Sequence, residues 1–271
     1  MLSILLNPRN YDAKFAHECV NEFGAKIGMS ASLTETEKEE IANETGIELY
    51  DTGLFLDSDN QSAFENAFAD AARYGVSKAV ISTGSCCDVG NDETVWHEKL
   101  TVIKEAAASR NLGLLLTNRR EFVKECPVSA DKFMRLVSFC QVGIAYDFGF
   151  AHAYGTALEN LYDWLDSISV ILLNDNFGLQ ADNQSHDWIN KEIMYVDEQK
   201  QPGYGNAPLV GMAKILRKEQ KDIPLFINGG RQGNADLQTI LIETRTILGG
   251  RVFISPAQAR IGRNETGRII I

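Results

Sequence analysis

The residue of this sequence best placed for chemistry is Asp147, which follows a short apolar run in VGIAYDFGFAHAYG, Val142–Gly155. The run is short and interrupted, so we expect a buried strand that ends at the aspartate, with no helix before Gly155. A carboxylate there must be hydrated, paired or bound to a cation, or it caps the following loop. His152 adds a general acid or base. The segment therefore predicts a polar pocket at the C-terminal end of a strand.

A second candidate region is the long polar segment Asp175–Asn206, which contains His186 within DNQSHD. A loop histidine flanked by carboxylates can bind a metal or carry a proton, although a solvated histidine is the plainer alternative. Long loops of a barrel commonly lie over its active face. We therefore expect this segment to cover the pocket.

The composition restricts the class of protein. The chain has 271 residues, 44% of them hydrophobic, and no Pro/Gly/Ser-rich linker, which predicts one domain over 1–271 with a tail at 250–271. The formal net charge of −11 argues against extended nucleic acid as a partner. Five cysteines in no disulfide-framework spacing favour a reducing cytoplasm, and no apolar run is long enough for a membrane helix. We expect a cytoplasmic protein.

The elements that must position these residues alternate between short apolar runs and longer amphipathic segments. Eight strands are predicted, and a helical segment follows each of them. The strands are Leu2–Leu6, Lys26–Ser30, Ile47–Asp51, Ala79–Ser82, Leu112–Leu116, Gln141–Tyr146, Ser169–Leu173 and Pro224–Ile227. Eight βα units predict an α/β fold that closes into a single-domain (β/α)8 TIM barrel. An open doubly wound sheet is the alternative, but no glycine-rich nucleotide-binding motif follows any strand.

Chemistry in such barrels takes place at the C-terminal ends of the strands. Amides and hydroxyls there can match sugar hydroxyls, and arginines can hold a phosphate or carboxylate. Polar strand-end residues can also simply begin loops. The predicted substrate-binding residues are Asn7, Arg9, Asp51, Thr117, Asn118, Arg119, Asn174, Asn228 and Arg231.

Three segments resemble motifs of the xylose-isomerase-like barrels, a superfamily of sugar and sugar-phosphate isomerases and epimerases that also includes the AP endonucleases. DFGFAHAYG at Asp147–Gly155 looks like the family's Asp-Thr-Gly-His-Ala-His-x-x-Gly. LLNDNFG at Leu172–Gly178 is similar to its His-x-x-Asp-Asn signature, and Gly203-Tyr204-Gly205 is similar to the Gly-x-Gly that follows a loop histidine. The order of all eight units matches, so the resemblance covers nearly the whole chain.

The resemblance implies a divalent cation, Mn²⁺, Mg²⁺ or Zn²⁺, held by four side chains. Those positions fall on Thr117, Asp147, Leu172 and Asn228, and only the aspartate is a family ligand. Asp147 and His186 remain as candidate metal ligands. The implied catalytic set is Asp147, His152, Asp175 and His186.

Two hypotheses follow from the resemblance and the strand-end residues. The leading one is a sugar isomerase or epimerase that transfers a proton on a small sugar or sugar phosphate. The alternative is a degenerate member that binds a carbohydrate or metabolite without turnover. AP-endonuclease-like DNA repair is a third interpretation, opposed by the acidic charge and by Ser82-Thr83, where a histidine would be expected. The apolar end Ile269–Ile271 could pack on the barrel or form a homo-oligomer contact.

Overall fold

The computed structural model describes residues 2–8, 10, 12–87, 92–119, 129–178, 184–186, 193–195, 199–230 and 237–249. Its centre is a closed barrel of eight parallel strands in the order β1-β10-β7-β6-β5-β4-β3-β2. The prediction of a (β/α)8 TIM barrel is confirmed, and closure excludes the open doubly wound sheet.

The barrel strands are β1 (Leu2–Leu6), β2 (Ile27–Ser30), β3 (Ile47–Phe55), β4 (Lys78–Ser82), β5 (Gly113–Thr117), β6 (Gly143–Asp147), β7 (Ile168–Leu173) and β10 (Leu225–Ile227). The helices are α1 (Ala13–Phe23), α2 (Glu35–Glu44), α3 (Gln61–Arg73), α4 (Glu93–Ala108), α5 (Ala130–Cys140), α6 (Phe148–Ala153), α7 (Ala157–Trp164), α8 (Leu209–Lys218) and α9 (Leu237–Leu248). Two short strands, β8 (Gln184–His186) and β9 (Ile193–Tyr195), form an antiparallel pair in the long segment after β7. None of the described helices is long and apolar enough to cross a membrane.

The barrel interior is filled by one apolar cluster: Leu5, Leu49, Val80, Leu115, Ala145, Val170, Leu172 and Phe226. Side chains of a strand alternate between its two faces, so the residue two positions after an interior residue also points inward. Those next positions are the polar residues Asn7, Asp51, Ser82, Thr117, Asp147, Asn174 and Asn228. The strand period therefore stacks a polar layer on the apolar one at the C-terminal end of the barrel.

A larger apolar cluster lies between the barrel and its helices, and the outward residues of the strands, such as Ile4 and Leu6 of β1, belong to it. The thiols of Cys19, Cys86, Cys87 and Cys140 are buried, and the first three residues are 0–2% exposed. Burial at this level fits a packing role for the vicinal Cys86-Cys87 pair.

One local prediction is wrong: the segment after Asp147 contains the short helix α6. The Oδ1 atom of Asp147 accepts a hydrogen bond from the Phe150 amide at 2.9 Å, which caps that helix. The interruption at Gly155 is as predicted, because its φ of 76° separates α6 from α7. A helix of six residues is too short for apolar periodicity to reveal it.

Candidate functional site

A pocket of about 300 Å³ opens at the C-terminal end of the barrel. Its lining combines amides, hydroxyls, one carboxylate and one guanidinium: Asn7, Pro8, Ser30, Ser32, Asp51, Arg119, Gln199 and Asn228. These residues come from the C-terminal ends of β1, β2, β5 and β10 or just beyond them, from Asp51 within β3, and from the end of the segment after β7. Parallel strands present their C-terminal ends at the same side of the barrel, which brings these distant residues together.

Arg119 joins the carboxylates of two separate strands. Its Nη1 donates to Asp51 Oδ2 at 2.6 Å, and its Nε donates to Asp147 Oδ2. Its Nη2 is buried and has no hydrogen-bond partner among the residues that the structure describes. Burial opposes the guanidinium charge, but the two carboxylates outweigh burial and raise the pKa of Arg119 further above its ordinary value. Arg119 is therefore a permanent cation at the pocket.

Backbone contacts hold this arginine in place. Thr83 Oγ1 donates to the Arg119 carbonyl oxygen at 2.8 Å, and the Gly84 amide donates to the same oxygen at 3.2 Å. Asp51 is fixed in turn, since its Oδ1 accepts from the Gly53 amide at 3.2 Å. The ion pair is thus set by the ends of β3, β4 and β5 together.

Asn118 positions Asp147 through the main chain. Its Oδ1 accepts from the Asp147 amide at 2.8 Å, and its Nδ2 donates to the Asp147 carbonyl oxygen at 3.1 Å. The last Cα pair of the ladder between β5 and β6 is Leu116 with Ile144, so this side chain extends the strand pairing beyond it. Asn118 is 3% exposed and supports the site without lining the pocket.

Asp175 is enclosed by main-chain amides. Its two carboxylate oxygens accept hydrogen bonds of 2.8–3.0 Å from the backbone N–H groups of Asn176, Gly203, Gly205 and Ala207. Burial raises the pKa of the Asp175 carboxyl above its ordinary value, while these four amides act in the opposite direction. Because both of its oxygens accept hydrogen bonds, the Asp175 carboxylate is suited to anchoring the end of the segment after β7. Asp175 does not line the pocket.

His152 lies on α6, outside the lining of the pocket. Its Nε2 is 2.7 Å from Asn206 Oδ1. It is half-buried, and a Cβ built on Gly178 would lie 2.9 Å from the same Nε2. This geometry connects α6 to the segment after β7.

Asn174 and Asn176 hold the start of α6 against the end of β7. Asn176 Nδ2 donates to the Gly149 carbonyl oxygen at 2.7 Å. A Cβ built on Gly149 would overlap Asn174 Oδ1, so Asn174 can occupy its place only because residue 149 is glycine. This close approach fixes the direction in which the chain leaves Asp147.

The structure brings some of the predicted substrate-binding residues together in the pocket, whereas Thr117, Asn118 and Asn174 do not line it. Asn7, Asp51, Arg119 and Asn228 line it, and Asp147 touches it through Arg119. Arg9, Arg231 and the tail at 250–271 lie outside the described residues, as does the side chain of His186. Catalytic roles for Asp147, His152, Asp175 and His186 stay predictions.

Three lining residues, Pro8, Ser32 and Gln199, are absent from the sequence-based prediction, and Ser30 belongs to the predicted ring of polar strand-end residues without being named as substrate-binding. Ser30 ends β2, and its Oγ lies 2.7 Å from that of Ser32. Its position as a strand-end residue was a usable signal. The sequence around Gln199 has no such signal. Gln199 reaches the pocket only because the long segment after β7 returns to the barrel through the bridge between Asp175 and Lys200.

The four family ligand positions do not fit a divalent cation in this structure. Leu172 is the Cα partner of Asp147 in the ladder between β6 and β7, so an apolar side chain stands beside the aspartate. The Oγ1 of Thr117 and the amide of Asn228 are weaker ligands than carboxylates for Mn²⁺ or Mg²⁺. Within the described ranges, no cluster of three or more His, Cys, Asp or Glu side chains could hold a metal ion.

Comparison with known proteins shows the fold. No protein-family model and no curated protein matches the chain. The solved structures include 3-keto-D-glucoside 4-epimerase, YcjR, from E. coli, at 12% identity and a TM-score of 0.64, covering 90% of this chain and 98% of that one.

Two further structures are similar over most of both chains. A xylose isomerase domain protein from Planctomyces limnophilus is 13% identical at a TM-score of 0.60, covering 86% of this chain and 92% of the other. The probable 3-DHS dehydratase AsbF from Bacillus anthracis is 13% identical at 0.61, covering 90% and 98%. The chain thus has the fold of the xylose-isomerase-like TIM barrel proteins, as its motifs predict.

Proposed function

We propose that this protein binds a small sugar or sugar phosphate in the pocket and acts on it by proton transfer, as an isomerase or epimerase does. The observation that carries the proposal is the pairing of Asp51 and Arg119 inside a polar pocket at the C-terminal end of the barrel. A carboxylate beside a fixed cation supplies a base and an electrostatic partner for a developing oxyanion.

The pocket suits a small polyhydroxylated ligand. At about 300 Å³ it lies at the small end of ligand pockets. The side chains of Asn7, Ser30, Ser32 and Asn228 offer both donors and acceptors, which hydroxyl groups of a sugar require. The similar folds of a 3-keto-D-glucoside 4-epimerase and a D-tagatose 3-epimerase-like protein support this ligand class.

In the proposed mechanism, Asp51 accepts the proton from the carbon beside the substrate carbonyl. The carbonyl oxygen lies against the Arg119 guanidinium, whose charge stabilises the enediolate that forms. Return of the proton to the face it left regenerates the substrate, whereas protonation of the opposite face of that carbon by solvent gives the epimer. Transfer of the proton from Asp51 to the neighbouring carbon, with a proton moving between the two enediolate oxygens, gives the isomer. Asp147 holds Arg119 in position, and Thr117 and Asn228 cannot exchange a proton at neutral pH.

Deuterium exchange tests this proposal directly. We expect uptake from D₂O into at least one member of a broad panel of sugars and sugar phosphates, measured by NMR or mass spectrometry. Asp51→Asn should lower the exchange rate by about 10²-fold or more. Asp163→Asn, at an exposed position on α7, is the matched control and should exchange at the wild-type rate. No uptake into any compound, with or without added metal, would refute the catalytic proposal.

One observation favours a second candidate, a protein that binds a carbohydrate or metabolite without turnover. Asp51 and Asp147 are both ion-paired to Arg119, so neither carboxylate is available without disturbing the pair. For a protein that only binds its ligand, we expect sugars to raise the melting temperature and the exchange assay to show no deuterium uptake. Exchange at any measurable rate would exclude this candidate.

A further inference from the structure

We propose that Arg119 is the resident cation of this site and occupies the position of the divalent metal that the family resemblance implies. We further infer that its Nη2 receives an uncharged oxygen atom of the ligand. The second part rests on the proposed function, whereas the first part concerns the protein without any ligand.

The contacts of Arg119 are those that a bound cation would make. Asp51 on β3 and Asp147 on β6, two strands separated by β4 and β5 in the barrel, both pair with the same guanidinium. Of the four positions that bind metal in the family, only Asp147 still has a family ligand. Its Oδ2 accepts a hydrogen bond from Arg119 Nε, and its Oδ1 caps α6. Both oxygens of the one family-like ligand are therefore already in use.

The charge balance points in the same direction. Two carboxylates and one guanidinium give a local charge of −1 in a largely buried place, since Asp147 is 0% exposed and the Arg119 side chain is 13% exposed. A divalent ion among these groups would lie close to the guanidinium, and like charges at such a distance repel strongly when water is excluded. Metal binding therefore requires the arginine to leave.

The unused part of the guanidinium defines what the ligand must offer. Nε and Nη1 are paired with carboxylates, and Nη2 is buried with no acceptor among the described residues. Buried donors are seldom left without an acceptor, so an oxygen of the bound molecule is the expected partner. Because two carboxylates already balance the charge, a hydroxyl or carbonyl oxygen fits this nitrogen better than a phosphate does.

The first experiment uses the wild-type chain without substrate. We expect elemental analysis to find no stoichiometric Mn, Mg or Zn, and we expect the melting temperature to be the same in EDTA and in millimolar Mn²⁺. Stoichiometric metal, or a melting temperature that Mn²⁺ raises and EDTA lowers, would overturn the proposal. Because no sugar is present, this result is independent of whether the protein is an isomerase.

The second experiment removes the cation. Arg119→Met leaves the carboxylates of Asp51 and Asp147 without their shared cationic partner, and the local charge falls from −1 to −2. We expect this variant to gain affinity for Mn²⁺ by on the order of tenfold or more, seen as a Mn²⁺-dependent rise in melting temperature. Arg73→Met is the matched control, because Arg73 pairs with Glu35 and Glu39 on the exterior.

The Mn²⁺ responses of wild type and of the two variants decide whether Arg119 occupies a cation position. A Mn²⁺ response in Arg119→Met and none in wild type or Arg73→Met supports the assignment. A folded Arg119→Met protein with no response would show that the two carboxylates do not form a cation position, which contradicts it. If that variant does not fold, the wild-type measurements decide the question alone.

Discussion

The contact between Gly149 and Asn174 provides the sharpest test of how this site is built. A methyl group at position 149 would overlap Asn174 Oδ1. Asn174 is 0% exposed and therefore cannot turn its side chain into solvent. The helix cannot easily retreat either, because the Phe150 amide is bonded to Asp147 and the Gly149 carbonyl to Asn176. We expect Gly149→Ala to destabilise the fold.

Two opposing effects determine how much Gly149→Ala changes the free energy of unfolding. Alanine is favoured over glycine within a helix by about 1 kcal/mol, which would stabilise the variant. Overpacking of a buried position costs about 1–3 kcal/mol, and the severity of this overlap places it at the upper end. The net loss in the free energy of unfolding is then about 2 kcal/mol. For a chain of this size that corresponds to a melting temperature lower by roughly 4–8 °C.

Urea denaturation and thermal melting measure this change. Gly46→Ala is the matched control, since Gly46 is exposed and a Cβ there meets nothing within 4 Å. Its unfolding free energy should stay the same or rise by up to about 1 kcal/mol. The double variant Gly149→Ala/Asn174→Ala should be more stable than the sum of the single changes predicts. A Gly149→Ala protein as stable as wild type would refute the reasoning.

Two further substitutions test the supports of the site. In Asp175→Asn the amide supplies one acceptor oxygen instead of two, so two of the four backbone donors lose their acceptor, and we expect a loss of about 2–6 kcal/mol by urea denaturation. Asp163→Asn, at an exposed position, should change by less than about 0.5 kcal/mol, and equal effects of the two would contradict the assigned role. Asn118→Ala removes both hydrogen bonds to the Asp147 main chain and should lower the free energy of unfolding by about 2–3 kcal/mol. An unchanged urea midpoint would show that these two hydrogen bonds do not stabilise the fold.

Much of the fold could be predicted because it depends on local patterns. The eight apolar runs and the helical segments between them are visible in the sequence, and barrel closure follows from burying both faces and leaving no strand edge. Strand bounds were displaced by about one residue in most cases. β3 extends to Phe55 instead of Asp51, because the irregularity of its pairing between Asp51 and Phe55 has no sequence signature.

The candidate site was only partly predictable. The strand period places Asp51, Thr117 and Asp147 on the inner face of the strands, and their positions after the apolar runs place them at the C-terminal end of a parallel barrel. This much the sequence determined by itself. Which of these side chains bond to one another depends on the closed barrel. Arg119 and Asp51 are 68 positions apart and meet because β3, β4 and β5 are neighbours in it.

Tertiary structure also decided what each carboxylate does. Asp147 and Asp175 look alike in the sequence, since each follows an apolar run. One is paired with a guanidinium, and the other is surrounded by amides from a chain segment that returns to the barrel. A carboxylate at a strand end must be satisfied, but its partner is selected by whatever the fold brings within hydrogen-bonding distance. The sequence by itself thus determined the barrel and the positions of its polar residues, while the tertiary structure decided that a guanidinium occupies the centre of the site.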